Sequence, residues 1–194
     1  MNTRLPTLLL LCLALWIPAG ARAASLEGQR FEEAVRLANT ELVLNGLGLR
    51  GVMFIKGYVA GLYLPARGTA YREIAAVPGP KRLQLRMLRA AGPEAFIDAL
   101  VGGMRKNSSE AELLQLDERI GQLSRAIQSG GAAKAGDVVN FDYLPEQGTV
   151  LTMNGKSLGQ AIAGADFYNA VLRIFIGEHP VDKKLKQGLL GGGA

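Results

Sequence analysis

The sequence predicts an α+β fold in which an antiparallel sheet carries its helices on one face. Segments rich in branched and aromatic residues, separated by glycines, predict strands on both sides of a central region. That central region has apolar residues at three- and four-residue spacing, which predicts helices. Strand, helix and strand blocks in series are typical of α+β proteins. Because no Pro- or Ser-rich linker interrupts the chain, we expect one domain over residues 24–194.

The first strands are predicted in the N-terminal half. Residues 24–36 are polar and amphipathic and fit either a short helix or a short strand. Pro65 should stop the sheet after a group of predicted strands at residues 40–44, 51–56 and 58–64. Residues 81–88 alternate with a period of two, which predicts a half-buried strand. Its apolar face holds Leu83, Leu85 and Met87, and its polar face holds Arg82, Gln84 and Arg86.

Two helices are predicted in the centre. Gly92-Pro93-Glu94 opens the first, because proline suits the first helical position and an acid suits the positive end of the helix dipole. We expect this helix to end near Lys106. Ser109 and Glu112 have the spacing of a capping box that opens the second helix. Its amphipathic stripe ends at Gly130-Gly131 and comprises Leu113, Leu116, Ile120, Leu123 and Ile127.

The C-terminal part predicts a meander followed by two helices. Residues 138–144 and 149–153 are predicted strands, and Asn154-Gly155 is a hairpin signal that returns the chain into a strand at 157–162. The helices are predicted over residues 166–176 and 181–190, with Gly177 ending the first.

Residues 1–23 have the pattern of a secretory signal peptide. Arg4 supplies the positive start, residues 5–17 are apolar, and Ala21-Arg22-Ala23 is a small-x-small cleavage site. The apolar run is shorter than the roughly 20 residues that span a bilayer, and no other stretch is long enough. We therefore expect a periplasmic or secreted protein with no membrane span after cleavage.

Composition argues against several classes of function. Cys12 lies inside the leader, so the processed chain would have no thiol for a disulfide or a metal, and His179 is the only histidine. No metal or cofactor is therefore predicted. Loss of Arg4 and Arg22 with the leader lowers the formal charge from +5 to +3. Without a basic stripe that holds aromatic residues, nucleic-acid binding is not expected.

Arg50 is the candidate functional residue, because it stands alone among glycines and apolar residues at positions 44–51. Its guanidinium stays charged at physiological pH, and burying it unpaired would cost several kcal/mol. It must therefore reach water or meet an anion. The anion is either a ligand or an acid of the chain itself, for which Asp142 and Asp166 are the candidates.

Two sets of residues resemble the chalcone isomerase family, and in particular its secreted bacterial members. The first is the glycine-rich segment with Arg50 that leads to Gly61-Leu62-Tyr63. The second contains Ala170-Val171-Leu172, Ile176-Gly177-Glu178-His179, Val181 and Leu185-Lys186. The resemblance covers roughly residues 41–190. It implies an open-faced sandwich with a ligand between the sheet and the helices, where small residues could leave room: Gly61, Ala99, Gly102 and Gly103.

The resemblance also implies that chalcone cyclisation is lost. Family enzymes hold their substrate with an arginine and four polar residues, and only Arg50 matches. Tyr58 stands where the family has threonine, and Ile174 replaces a hydroxyl residue. The positions expected to hold tyrosine and asparagine offer only Ala95, Phe96, Gly102 and Gly103. Without preplaced donors, developing charge on a carbonyl is not stabilised.

Arg50 with Tyr58 resembles the pair that holds a carboxylate in plastid fatty-acid-binding proteins of this fold. The hypothesis is a non-catalytic protein that binds a small amphipathic carboxylate through Arg50 and Tyr58, with Arg86 as a candidate second cation. One alternative is an intramolecular lyase or isomerase acting on an unsaturated carbonyl compound, with Arg50 as stabiliser and Tyr58 as acid. The other is a structural module of the envelope with a closed cleft.

Overall fold

The chain folds into an antiparallel meander, and the computed structural model describes residues 23–192. The predicted signal peptide, apart from Ala23, lies outside the described residues. The strands are β1 (Ala23–Leu26), β2 (Gln29–Glu32), β3 (Ala34–Leu37), β4 (Thr40–Val52), β5 (Ile55–Leu64), β6 (Lys81–Met87), β7 (Val138–Leu144), β8 (Gly148–Met153) and β9 (Lys156–Ser157). The helices are α1 (Tyr71–Ala76), α2 (Pro93–Lys106), α3 (Glu110–Gly130), α4 (Ala165–Ile176) and α5 (Lys183–Leu189).

Seven strands form the main sheet in the order β3-β4-β5-β6-β7-β8-β9, so each strand pairs with its neighbour in sequence. All of these pairings are antiparallel. Strands β1 and β2 form a separate hairpin. The predicted α+β class and the sheet with helices packed on it are confirmed.

The two faces of the sheet carry different residues, as the period-two pattern predicts. Leu62, Leu83 and Phe141 are paired across β5, β6 and β7 and face the helices. They pack into the main core with the buried apolar residues of α2, α3 and α4. The opposite face is partly covered by the β1–β2 hairpin, whose Phe31 lies against Gly61. Close packing therefore occupies the space at Gly61 that the sequence suggested for a ligand.

The glycine-rich segment around Arg50 lies inside one long strand. Strand β4 continues to Val52, and its partner β5 begins at Ile55, so the predicted separate strand at 51–56 is wrong. Those residues form the end of one long hairpin. Its loop is the two-residue sequence Met53-Phe54.

Glycines let α5 lie directly against β4. A Cβ at Gly46 would collide with the carbonyl oxygen of Gly188, and one at Gly48 with that of Leu185. A register shift between Leu44 and Gly46 leaves the buried Asn45 free to bridge neighbouring segments. Its Nδ2 donates to the carbonyls of Leu189 at 2.7 Å and Gly68 at 3.0 Å, and its Oδ1 accepts from the Gly68 amide at 2.8 Å. The last helix, α5, therefore packs directly on β4.

Three other elements differ from the prediction. Helix α1 was not predicted, because its six residues are too few for a clear apolar period. The strand predicted at 157–162 is reduced to the two residues of β9 and an isolated bridge between Ile162 and Thr149. The last helix starts at Lys183 because the side chain of Asp182 accepts hydrogen bonds from the first-turn amides of Lys184 and Leu185.

Replacing Gly46 by alanine should lower the free energy of unfolding by about 1–3 kcal/mol, because the added methyl group forces α5 away from β4. Gly102→Ala is the matched control, since no atom lies within 4 Å of a Cβ there. Because Gly102 lies in the middle of α2, Gly102→Ala should raise the free energy of unfolding by up to about 1 kcal/mol. Urea unfolding followed by circular dichroism measures the stability of both variants. A Gly46→Ala protein of unchanged stability would contradict the close packing of α5 on β4.

Candidate functional site

Arg50 and Tyr58 are directly opposite each other on β4 and β5. Both belong to the face that carries Gly48 and Ala60, which is the face toward the helices. Residues directly opposite in an antiparallel pair have Cβ atoms about 4.5–5.5 Å apart. Strand register therefore places the guanidinium and the phenol, which sequence reasoning selected together, in one site.

The guanidinium of Arg50 reaches the start of α5. Its Nη1 donates to the carbonyl of Gly51 at 2.7 Å and lies 3.5 Å from Oδ2 of Asp182. The other carboxylate oxygen of Asp182 is the one that caps α5. Both side chains of this ion pair are partly exposed, at 25% and 18%. Arg50 is therefore held by a hydrogen bond to the next residue's carbonyl and by one long ion pair, and it keeps contact with water.

The acids considered for Arg50 from sequence are paired with other arginines. Asp142 receives two hydrogen bonds of 2.6 Å from Arg82, and Asp166 receives two of 2.7 Å from Arg119. The bonds from Arg119 lower the pKa of Asp166. Asp182 was missed because helix capping alone explains an aspartate before Lys183-Lys184-Leu185, and the contact with Arg50 spans 132 positions of sequence.

Burial raises the pKa of Tyr58 well above its ordinary value, although the positive charge of Arg50 opposes that shift. A phenol with a raised pKa keeps its proton throughout the neutral range. Tyr58 is therefore a neutral hydrogen-bond donor beside a fixed cation. The pair can hold an anion, but it provides no phenolate base near neutral pH.

Arg86 lies on the other face of the sheet. It pairs with Val59 across β5 and β6, whereas Tyr58 pairs with Met87. Its guanidinium carbon lies 4.9 Å from the ring centre of Phe31, over the ring. The structure therefore separates Arg86 from Arg50 and Tyr58 by the thickness of the sheet.

A groove of about 590 Å³ runs along β4 between β1 and α5. Its lining includes Leu26, Leu47 and Leu49, together with the cations Arg67 and Lys184. The groove reaches Leu49, whose side chain belongs to the face of the sheet opposite Arg50, and its volume is in the usual range for ligand sites. Sequence reasoning missed it because its walls come from opposite ends of the chain.

The space suggested between sheet and helices is largely filled. A Cβ at Gly103 would press against Ile174, whereas Gly102 faces open space. Within residues 23–192, no three histidine, cysteine or acidic side chains come together as a metal site would require. In the same part of the chain, no helix is long and apolar enough to cross a membrane.

Comparison with known proteins assigns this fold to a family. A sequence model of the chalcone isomerase-like family matches residues 23–191. The chain belongs to the chalcone isomerase-like family. Among solved structures, this family member is similar to the fatty-acid binding protein of Arabidopsis thaliana. The TM-score is 0.65 at 14% identity, and the match covers 87% of this chain and 96% of the plant chain. No curated protein sequence matches it.

Stability measurements should show that Arg50 contributes little to folding of this chalcone isomerase-like chain. Arg50→Ala should lower the free energy of unfolding by less than about 1 kcal/mol, because its ion pair is long and partly exposed. Asp182→Ala should cost about 0.5–2 kcal/mol, since it also removes the cap of α5. Denaturant titration compares the two variants. A larger loss for Arg50→Ala would identify the arginine as a structural residue.

Proposed function

We propose that this chalcone isomerase-like protein binds a small amphipathic carboxylate, such as a fatty acid, without catalysing a reaction on it. The observation that carries the proposal is the cross-strand pair of Arg50 and Tyr58, a fixed cation beside a neutral donor. The similar fold of a plant protein named for fatty-acid binding supports the choice of ligand.

A ligand carboxylate can replace the weak partner that Arg50 has now. The 3.5 Å contact with Asp182 exceeds the usual length of a charge-assisted hydrogen bond, about 2.7–2.9 Å. A guanidinium can donate two parallel bonds to an incoming carboxylate, and Tyr58 can donate a third. Asp182 keeps its role at the start of α5 through its other oxygen.

The apolar part of the ligand would lie in the groove at the edge of β4. Its leucines belong to the face of the sheet opposite Arg50 and Tyr58, so an acyl chain held at that pair would pass around the edge of β4 to reach them. The groove along β4 offers leucine side chains from β1 and β4. Each methylene group buried there contributes about 0.8 kcal/mol. An acyl chain of ordinary length would therefore supply most of the affinity, and the carboxylate would fix its direction.

Several residues argue against a reaction on the ligand. Ala95, Phe96 and Ile174 supply no side-chain donor where the family enzymes have polar residues. Arg86, the remaining candidate for a second cation, lies on the opposite face. A carbonyl bound at Arg50 would thus lack the set of donors that stabilises developing charge.

Export is part of the proposal. The residue pattern of 1–23 supports it, and the family match begins at residue 23, where the expected cleavage lies. A binder of amphipathic acids in the periplasm or outside the cell would meet ligands released from membranes.

Arg50→Ala should weaken binding of a long-chain fatty acid more than Tyr58→Phe does. The first change removes charge-assisted bonds worth about 1.5–3 kcal/mol, and the second removes a neutral bond worth about 1 kcal/mol. Affinity should therefore fall roughly tenfold to a hundredfold for Arg50→Ala and about fivefold for Tyr58→Phe. Calorimetric titration of each folded variant measures both losses.

Arg86→Ala is the matched control, because it removes an arginine from the same sheet on the other face. Its affinity should equal that of the wild type. Equal affinity in the wild type and Arg50→Ala would reject the carboxylate site. Turnover of a chalcone that depends on Arg50 and Tyr58 would instead support the lyase alternative.

The exported protein should begin at Ala24 or within a residue or two of it, because Ala21 and Ala23 occupy the cleavage positions. Intact-mass measurement of the protein recovered from the periplasm or the medium tests this. A mass that includes Cys12 and Trp16 would show that the leader is retained, and the proposed localisation would then be rejected.

A further inference from the structure

The loop that joins β4 and β5 exposes four apolar side chains in a row. The exposed fraction is 53% for Val52, 92% for Met53, 98% for Phe54 and 53% for Ile55. We call these four residues the hairpin tip. Among the large apolar residues of 23–192, only Leu114 on α3 is exposed to a similar degree elsewhere.

The turn itself gives no reason for these residues. A two-residue hairpin loop favours glycine, asparagine or aspartate, which tolerate a positive φ. Met53 adopts a φ of +54° here, a conformation that costs free energy for a long side chain. Since neither side chain of the loop packs into the protein, local folding would be better served by polar residues. The apolar side chains therefore point to a partner.

Basic side chains surround the base of the hairpin tip. Lys56 follows it directly, and Arg89 lies next to Leu88, whose amide donates to the Gly57 carbonyl. Lys183 and Lys184 are exposed at the start of α5, next to the residue that contacts Arg50.

Acids in the same region are already held by ion pairs or hydrogen bonds. Glu27 accepts a 2.6 Å bond from Lys56, and Asp182 is the partner of Arg50. Asp137 caps the nearby turn through the Lys134 amide and the Asn154 side chain. The surroundings of the tip therefore carry an excess of positive charge, because Arg89, Lys183 and Lys184 outnumber the one acid, Asp137, that has no cationic partner.

The shape of the tip decides between a protein and a membrane as partner. Four side chains cover on the order of a few hundred Å², whereas a specific protein interface takes about 800 Å² from each partner. A narrow apolar projection with cations behind it matches the acyl and headgroup layers of an anionic bilayer. We propose that the hairpin tip inserts into the surface of a membrane that contains anionic lipid.

This proposal goes beyond the carboxylate site and does not depend on it. The tip is nevertheless close to that site, because Arg50 and Tyr58 are the third cross-strand pair from the loop. An inserted tip would hold the guanidinium near the headgroup layer. A fatty acid leaving the bilayer would then meet Arg50 first.

A tryptophan placed at the tip tests insertion directly. In a Trp16→Phe background, Phe54→Trp makes the tip residue the only tryptophan of the chain. With vesicles that contain anionic phospholipid, its emission should shift to shorter wavelength and be quenched by lipids brominated on the acyl chain. Leu114→Trp, in the same background, is the matched control and should show neither change.

Two further variants separate the apolar and the charged contributions. Met53→Asn combined with Phe54→Ser should lower vesicle partitioning at least about tenfold, and asparagine also suits the positive φ at residue 53. Lys183→Gln with Lys184→Gln should lower it by about fivefold for each lysine on anionic vesicles only. Both proteins should melt as cooperatively as the wild type, because the replaced side chains are exposed.

The outcomes also distinguish this proposal from the proposed function. Vesicle binding that is unchanged in the Met53→Asn, Phe54→Ser protein overturns insertion, and so does unquenched emission from the vesicle-bound Phe54→Trp protein. Self-association through the tip without vesicle binding, seen by analytical ultracentrifugation, also overturns it. Tyr58→Phe, which changes no charge, should leave vesicle partitioning intact while weakening binding of a soluble fatty acid about fivefold, so failure of one proposal leaves the other to be judged separately.

Discussion

The close approach of α5 to β4 determines the arrangement around the candidate site. Gly46, Gly48 and Gly188 remove the side chains that would keep the two backbones apart, and Asn45 fastens the far end of the helix. This packing fixes where α5 begins. Asp182, the residue before α5, therefore lies beside Arg50 on β4. The glycines thus set the position of the only acid in contact with Arg50 in the described chain.

Arg50 combines features of a structural residue and of a binding residue. A partly exposed ion pair of 3.5 Å contributes little stability, yet it neutralises the guanidinium while no other anion is present. Asp182 can remain in place when that pair is broken, because its helix-capping bonds use the other oxygen. The site can therefore exchange one carboxylate for another without a change in the fold.

Local signals predicted the helices well and long-range contacts poorly. Pro93 and the capping box of Ser109 and Glu112 act within a few residues, and both helices begin where these signals stand. The glycines at 46–51 led to a predicted gap between two strands, because the contacts of Gly46 and Gly48 with α5 depend on residues about 140 positions away. For the same reason the partner of Arg50, the opposite placement of Arg86 and the groove could not be predicted, and Arg50 was grouped with Tyr58 through the family resemblance and not through a local signal.

The short outer strands of the sheet affect how the protein behaves in a crowded compartment. An unpaired strand edge is a template for pairing with another chain, which leads to aggregation. One edge here ends in β9, two residues that include Lys156, and the other in the four-residue β3. The unpaired remainder of β4 is recessed between β1 and α5. Resistance to edge-to-edge association therefore rests on short outer strands and on the coverage of β4.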